Sequence, residues 1–357
     1  MNVQNVILWR RFFSGLAYAA MQSVFFIYLQ QHKGFDPAKI ACAFSLLVFA
    51  SQAFSLFAGS WGDRFGRSLV MMVGCLMDAI AYVVLLLSDD YKLLFLATFL
   101  FGLGSTLFST NARVFLLSTA DDEYAAKTQA QGRFLRVASM ASMIAPLLSL
   151  PFIYHQKAEW LIWCSCAIEI SMLIFMLLAF PRNQCCNFKF ERFSFRQFKG
   201  VLTKNFVLAH FLLFIPLGMA SAFYVIFPYI FTNLLDHKEL VPIAFFVNNL
   251  IAVLLQAPFS SHINLRVNRL SYIAPMLTLL LVLPWFYVME HISLVSAFAY
   301  LVIFALIGLF ANTALANLLV RFDTGKNQGV MFGMSKLILS ITTAGMMNVI
   351  PFLFMGA

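Results

Sequence analysis

Charge is scarce in this sequence. Only 11% of its 357 residues are Asp, Glu, Lys or Arg, whereas 62% are hydrophobic. Soluble domains run nearer a quarter charged, and a chain of this length has too little interior to hide so much apolar surface. A soluble globular protein is thereby excluded. Cysteine is sparse too. Cys42, Cys75, Cys164, Cys166, Cys185 and Cys186 make no CxxC pair and no zinc-like spacing, so neither a disulfide framework nor a metal site is expected. HExxH, GxSxG and phosphate-loop motifs are missing, and the six histidines lie mostly at the ends of the predicted helices. No catalytic residue or cofactor is expected, and an enzyme is disfavoured. The opening MNVQNVILWRRFF lacks a cleavable-signal pattern, so the first apolar run is expected to stay in the protein.

What the sequence has is one long apolar run after another. A helix needs about 20 apolar residues to cross a bilayer, whereas barrel strands show alternating segments of about ten. The runs here predict an all-α polytopic membrane protein. Eleven spans are expected, at about 11–31, 38–61, 68–88, 92–116, 134–153, 159–180, 206–233, 241–262, 270–289, 294–319 and 329–353. Asp36 can cap the second span and Pro37 suits its first turn.

The net charge of +9 could suggest nucleic acid, but membrane proteins concentrate Lys and Arg in cytoplasmic loops. One set of loops, which includes Arg10, Arg11, Arg64, Arg67 and the polar stretch 181–205, carries sixteen basic residues. The opposite set carries five: Lys33, Lys39, Lys92, Lys157 and Lys238. The richer side, with the amino terminus, is expected in the cytoplasm, and the membrane is expected to be a bacterial inner membrane. Lipid is an expected partner and nucleic acid is not.

The chain also repeats itself. His32-Lys33 matches His237-Lys238, Pro37 matches Pro242, and Gln52-Ala53 matches Gln256-Ala257. Arg64 and Arg67 match Arg266 and Arg269, and Asn111 matches Asn317. All these offsets fall between 202 and 206 residues. Two halves in the same orientation form a parallel repeat, an arrangement common in transporters. The expected organisation is a six-helix half at 1–180, a cytoplasmic linker at 181–205, and a second half at 206–357 with five predicted helices. Symmetry would put a twelfth helix past Ala357.

Residues 59–68 read GSWGDRFGRS, with an acid, two arginines and three glycines in an otherwise apolar region. This resembles the GxxxDRxGRR signature in the loop between the second and third helices of the major facilitator superfamily. Ser68 stands at the last basic position. The resemblance implies a fold of two six-helix pseudo-repeats and a cytoplasmic conformational gate made of Gly59, Asp63, Arg64, Gly66 and Arg67. Asp63 would favour closure against the amino-terminal end of the eleventh helix, where the helix dipole is positive. Gly59 would let two helices approach, and Gly66 would permit the tight turn. Arg64 and Arg67 could bind helix carboxyl ends, acids or lipid phosphates, or follow only the positive-inside rule. Arg113 joins the gate list, with Asp63, Asp121 and Asp122 as potential partners.

A second likeness lies in the fifth span. Antiporters of this superfamily carry GxxxGPxxGG there. This chain has Ala141, Ala145, Pro146 and Ser149 in the corresponding places, which leans towards export. A third antiporter signature, an arginine four residues before a glycine in the fourth span, is absent: Thr98 precedes Gly102.

Two acids interrupt apolar runs at mid-span, Asp78 and Glu169. A carboxylate there needs a partner or a proton. They are proton-coupling candidates; alternatively they are protonated acids bonded between helices, and the two could share a proton if they meet. The resemblance places spans 1, 4, 7 and 10 around a cavity. Tyr18, Gln22, Thr106, Tyr224 and Asn312 are therefore substrate-path candidates, together with Lys336 in the last span, which could instead snorkel to the interface. His210 reads as an interfacial residue. The expected function is a secondary transporter working by alternating access as a monomer: proton-coupled export of a small drug-like or metabolite compound, siderophores included. Uptake of a small metabolite, or a remnant that no longer transports, are the alternatives.

Overall fold

In hydrocarbon every backbone N–H and C=O must be paired internally, and a continuous apolar run meets that demand as a helix. The protein's structure, a computed structural model, describes residues 3–118, 124–179, 202–262, 267–322 and 328–354. Among the described residues there are helices and no strands. In chain order they are α1 (Val3–Ile27), α2 (Pro37–Ala53), α3 (Ser55–Phe65), α4 (Arg67–Leu86), α5 (Tyr91–Ser118), α6 (Tyr124–Tyr154) and α7 (Ala158–Ala179). There follow α8 (Lys204–Leu212), α9 (Phe214–Tyr229), α10 (Leu240–His262), α11 (Val267–Glu290), α12 (Leu294–Phe322) and α13 (Gln328–Phe354). Eight helical segments among the described residues are long and apolar enough to cross a membrane, and Pro37–Ala53 and Leu240–Gln256 are shorter apolar helices.

Each predicted span is found as a helix or a pair of helices, and the differences have physical causes. The span expected at 206–233 breaks at Leu213. Pro216 lacks the N–H that Leu212 C=O would accept, and its ring crowds that carbonyl. Thr203 caps α8, its side chain accepting from Phe206 N–H at 3.2 Å. Helix α6 begins at Tyr124, ten residues before the apolar run. Its polar start is rich in Ala, Lys and Gln, which are good helix formers. Hydropathy marks where lipid begins, and a helix need not stop there. For the same reason α1 begins at Val3, which takes Arg10 and Arg11 out of the terminal tail and into a helix.

The chain divides into two compact units. One comprises Met1–Tyr28 and Leu46–Arg192, the other Leu29–Ser45 and Phe193–Ala357. In the first unit α1 packs on α6 and α7, and α4 packs on α5 and α7. The α4–α5 approach is close because two glycines face one another: a Cβ on Gly74 would stand 2.7 Å from the Gly104 carbonyl oxygen. In the second unit α9 packs on α12 and α13, and α10 and α11 pack on α12. Ser45 of α2 belongs to this unit and accepts from Asn348 Nδ2 at 3.0 Å.

The first long helix of each repeat ends in the same way. A π turn covers Tyr28–His32 in one and Ile230–Leu234 in the other. Next comes a left-handed residue, Gly34 with φ 67° and Asp236 with φ 54°. The following N–H reaches back six residues, Phe35 N to Leu29 O at 2.9 Å and His237 N to Phe231 O at 2.7 Å. That is one residue longer than the 6→1 bond of a Schellman helix stop, as expected after a π turn. These features register the halves at an offset of 202. His32 and His237 therefore do not occupy equivalent places: His32 closes its π turn, whereas His237 follows the left-handed residue.

Candidate functional site

The polar centre of the first unit is built on Arg10. Its Nη2 lies 2.9 Å from Asp78 Oδ2 and 3.1 Å from Glu169 Oε2. Its Nε donates to Cys75 Sγ at 3.2 Å, and its guanidinium carbon sits 4.4 Å from the centre of the Phe108 ring. Ser14 Oγ donates to the same Glu169 oxygen at 3.0 Å. Arg10 and Glu169 are each 2% exposed and Asp78 is 7% exposed, so water competes little with these contacts. Three helices supply the groups: α1 gives Arg10 and Ser14, α4 gives Cys75 and Asp78, and α7 gives Glu169. Arg10 and Ser14 share a face of α1, and Cys75 and Asp78 share a face of α4, through their four- and three-residue spacings. Asp78 comes close because Gly104 presents no side chain; a Cβ there would collide with Asp78 Oδ1.

One guanidinium thus holds two carboxylates. With both acids ionised the cluster carries one net negative charge, and one added proton makes it neutral. Charge in a membrane interior is expensive, so each carboxylate depends on this shared partner. Asp78 and Glu169, expected separately from the sequence, are brought together here. Arg10, which the loop count placed at the cytoplasmic surface, is instead their buried partner. Cys75 and Ser14 were not anticipated either.

The charged loop folds as the end of α3 and the start of α4. Gly66 joins them with φ 92°, a conformation open to glycine and costly for other residues. The close approach lies one turn from the expected place. A Cβ on Gly59 would stand 4.0 Å from Thr110, an ordinary contact, whereas a Cβ on Gly62 would overlap the Asn111 side chain. Asn111 Nδ2 reaches both the Ala58 carbonyl of α3 and the Leu107 carbonyl of α5 at 2.9 Å, which ties the two helices. Arg64 is exposed and stacks on Phe65 at 5.3 Å; Arg67 is buried. The Asp63 side chain, and Asp121 and Asp122, lie outside the described residues. Arg113 lies 5.8 Å from the centre of the Phe134 ring.

A cavity of about 260 Å³ opens in the second unit among α9, α10 and α12. Its polar lining is Ser221, Tyr224, Asn248 and Asn312, and its apolar lining includes Phe304 and Leu309. Tyr224 and Asn312 therefore meet at one cavity, whose described lining includes no charged side chain. The Tyr224 ring is held by Phe44 at 6.0 Å and Phe245 at 5.5 Å. Asn312 Nδ2 donates to the Gly308 carbonyl at 2.8 Å, which turns its amide within the helix. Asn248 was not anticipated.

The other candidates have different surroundings. Thr106 is buried and its hydroxyl donates to the Ser51 carbonyl, so it ties α5 to α2. Tyr18 is half-buried in the first unit, edge-on to Phe101 at 6.4 Å. Gln22 is half-buried on the same helix, and Lys336 is exposed on α13. His210 is buried: Nδ1 meets the Phe206 carbonyl and Nε2 meets Ser335 Oγ, both at 2.8 Å. The carbonyl can only accept, so neutral His210 carries its proton on Nδ1 and Ser335 donates to Nε2. Ala141 and Ala145 are buried on α6, and Ala141 lies against Gly15 of α1. Ser149 Oγ donates to the Pro146 carbonyl at 2.6 Å, and Ser23 reaches Ser149 at 2.8 Å.

A family model of the Major Facilitator Superfamily matches residues 10–346. The multidrug resistance protein MdtH of Yersinia enterocolitica is 33% identical over 75 residues, 21% of this chain and 19% of that protein. The MdtH of Yersinia pestis is 33% identical over the same length. The chain thus spans about a fifth of the length of the curated relatives it matches. Solved transporters share the fold. A POT family transporter in complex with 5-aminolevulinic acid has a TM-score of 0.74 at 14% identity, covering 97% of this chain and 88% of that one. The nucleoside transporter NupG has a TM-score of 0.73 at 10% identity, covering 97% and 90%.

Proposed function

The chain belongs to the Major Facilitator Superfamily, and on that footing we propose that it is a proton-coupled exporter of a small organic solute, working by alternating access as a monomer in a bacterial inner membrane. The observation that carries the coupling is the single guanidinium of Arg10 shared by Asp78 and Glu169 at 2.9 and 3.1 Å. A group that switches between one net negative charge and none can load a proton on one side of a membrane and release it on the other. Asp63, Arg64, Gly66, Arg67 and Arg113 belong to the cytoplasmic gate in this reading, with the amino terminus on the same side.

Export rather than uptake is supported by the likeness to the multidrug resistance protein MdtH and by the small-residue run Ala141, Ala145 and Pro146 in α6. The neutral cavity beside Tyr224, Asn248 and Asn312 fits a drug-like or metabolite molecule with an apolar body and a few hydrogen-bonding groups.

The test is proton flux in proteoliposomes with an imposed pH gradient, screened against a panel of organic solutes. A transported solute should dissipate the gradient, and Asp78→Asn and Glu169→Gln should uncouple its movement from protons. Solute movement that ignores the gradient, with folded protein, would overturn proton coupling.

A further inference from the structure

Arg11 follows Arg10 directly but points about 100° further round α1, and its surroundings are of the opposite kind. Its guanidinium carbon lies 5.2 Å from the centre of the Phe134 ring, and that of Arg113 lies 5.8 Å from the same ring. Helices α1, α5 and α6 thus bring two cations to one aromatic side chain that is 1% exposed, and the two charges repel one another. Nε of Arg11 and Nε of Arg113 are both buried without a hydrogen-bond acceptor. Among the described residues neither arginine forms an ion pair, since Asp78 and Glu169 are both engaged by Arg10. A ring face attracts cations but offers no lone pair to these N–H groups. Two partly buried guanidiniums whose Nε–H groups lack an acceptor among the described residues are complementary to an anion, and the planar fork of arginine fits the paired oxygens of a carboxylate or phosphate. Both side chains keep partial exposure, so a ligand can reach them.

We infer that Arg11 and Arg113, converging on Phe134, form a binding site for a compact oxyanion, either a carboxylate or a phosphate. This deepens the transporter reading and rests on it for the physiological ligand, which is the anionic end of the carried solute or the headgroup of an anionic lipid.

The test is protection from phenylglyoxal, which modifies free guanidiniums, mapped by peptide mass spectrometry on the purified full chain. In lipid-free detergent, sodium phosphate or sodium benzoate should protect Arg11 and Arg113 saturably, relative to sodium chloride at equal ionic strength. Exposed Arg64 should stay reactive. In nanodiscs, phosphatidylglycerol is compared with phosphatidylcholine. Protection by the free anions assigns the site to a solute. Protection by phosphatidylglycerol alone assigns it to a lipid headgroup. Arg113→Gln should weaken protection of Arg11 by about tenfold or more, the worth of one charge-assisted hydrogen bond, and Arg113→Lys should restore part of it. Three results would overturn the inference: no protection in either setting, equal protection of Arg64, or arginines already unreactive before any anion is added, which would mean an acid of the chain holds them. The wild-type labelling decides even if a variant fails to fold. Anion binding without solute-driven proton flux would sink the exporter reading and keep this site; flux without protection would do the reverse.

Discussion

Arg10 and Asp78 meet at 2.9 Å although 68 positions separate them in the chain. Glu169 completes the cluster from a third helix, so a single side chain pins α1 to α4 and α7. Removing Arg10 would leave two buried carboxylates facing each other. Arg10→Gln is expected to destabilise the first unit by about 3–5 kcal/mol, the usual cost of stranding a buried charge. Adding Asp78→Asn and Glu169→Gln to that variant should recover much of the loss, because the charge left behind is then gone. Unfolding of the wild type, the single variant and the triple variant in one detergent checks this. A triple variant no more stable than the single one would show that the carboxylates are not the source.

The glycine that matters for helix approach in the charged stretch 59–68 is Gly62. Gly62→Ala drives a methyl group into Asn111, and overpacking of that kind costs roughly 1–3 kcal/mol. Gly59→Ala meets only Thr110 at 4.0 Å and should be tolerated. Thermal unfolding of both variants separates the two sites; equal shifts would contradict the packing described.

Gly34 and Asp236 hold the same left-handed position in the two repeats, but aspartate holds it at a steric cost of about 1–2 kcal/mol. Asp236→Gly should raise stability by about 1 kcal/mol, and Gly34→Ala should lower it by a similar amount. Opposite signs in one melting experiment are the expected result.

Tyr224 and Asn312 line the cavity, whereas Thr106 is consumed by the Ser51 carbonyl. For any solute the protein transports, Tyr224→Phe or Asn312→Ala should raise KM by about 3- to 10-fold, the value of one neutral hydrogen bond. Thr106→Val should leave KM unchanged and lower stability by about 1 kcal/mol. Initial-rate transport assays beside melting curves distinguish these outcomes.

The helical membrane architecture was legible in the sequence because hydropathy alone dictates it: lipid-facing segments must be apolar and internally bonded. Gly66 was legible because a turn between two helices has few other solutions. Asp78 and Glu169 stood out as acids in apolar runs, but their meeting depends on tertiary contact that no local pattern encodes. Arg10 was hidden by its neighbours. It stands beside Arg11 and close to the chain start, where counting basic residues assigns both to the surface. The four-residue step from Arg10 to Ser14 and the three-residue step from Cys75 to Asp78 were the available signals of polar faces turned inward. The contacts of Thr106 and Gly59 were not legible for a shared reason: helix rotation decides which side chain faces a cavity or a neighbour, and apolar all-round helices carry little trace of it.

The matched π turns speak to descent. A register slip of one residue is disruptive to acquire, and its appearance at Tyr28–His32 and at Ile230–Leu234 is most simply explained by one insertion made in a single ancestral half before it was copied. The backbone irregularity is then older than the duplication. At that offset Arg10 and Asp78 fall opposite Leu212 and Leu280, so the polar cluster of the first unit stands outside the pattern that the two backbones share.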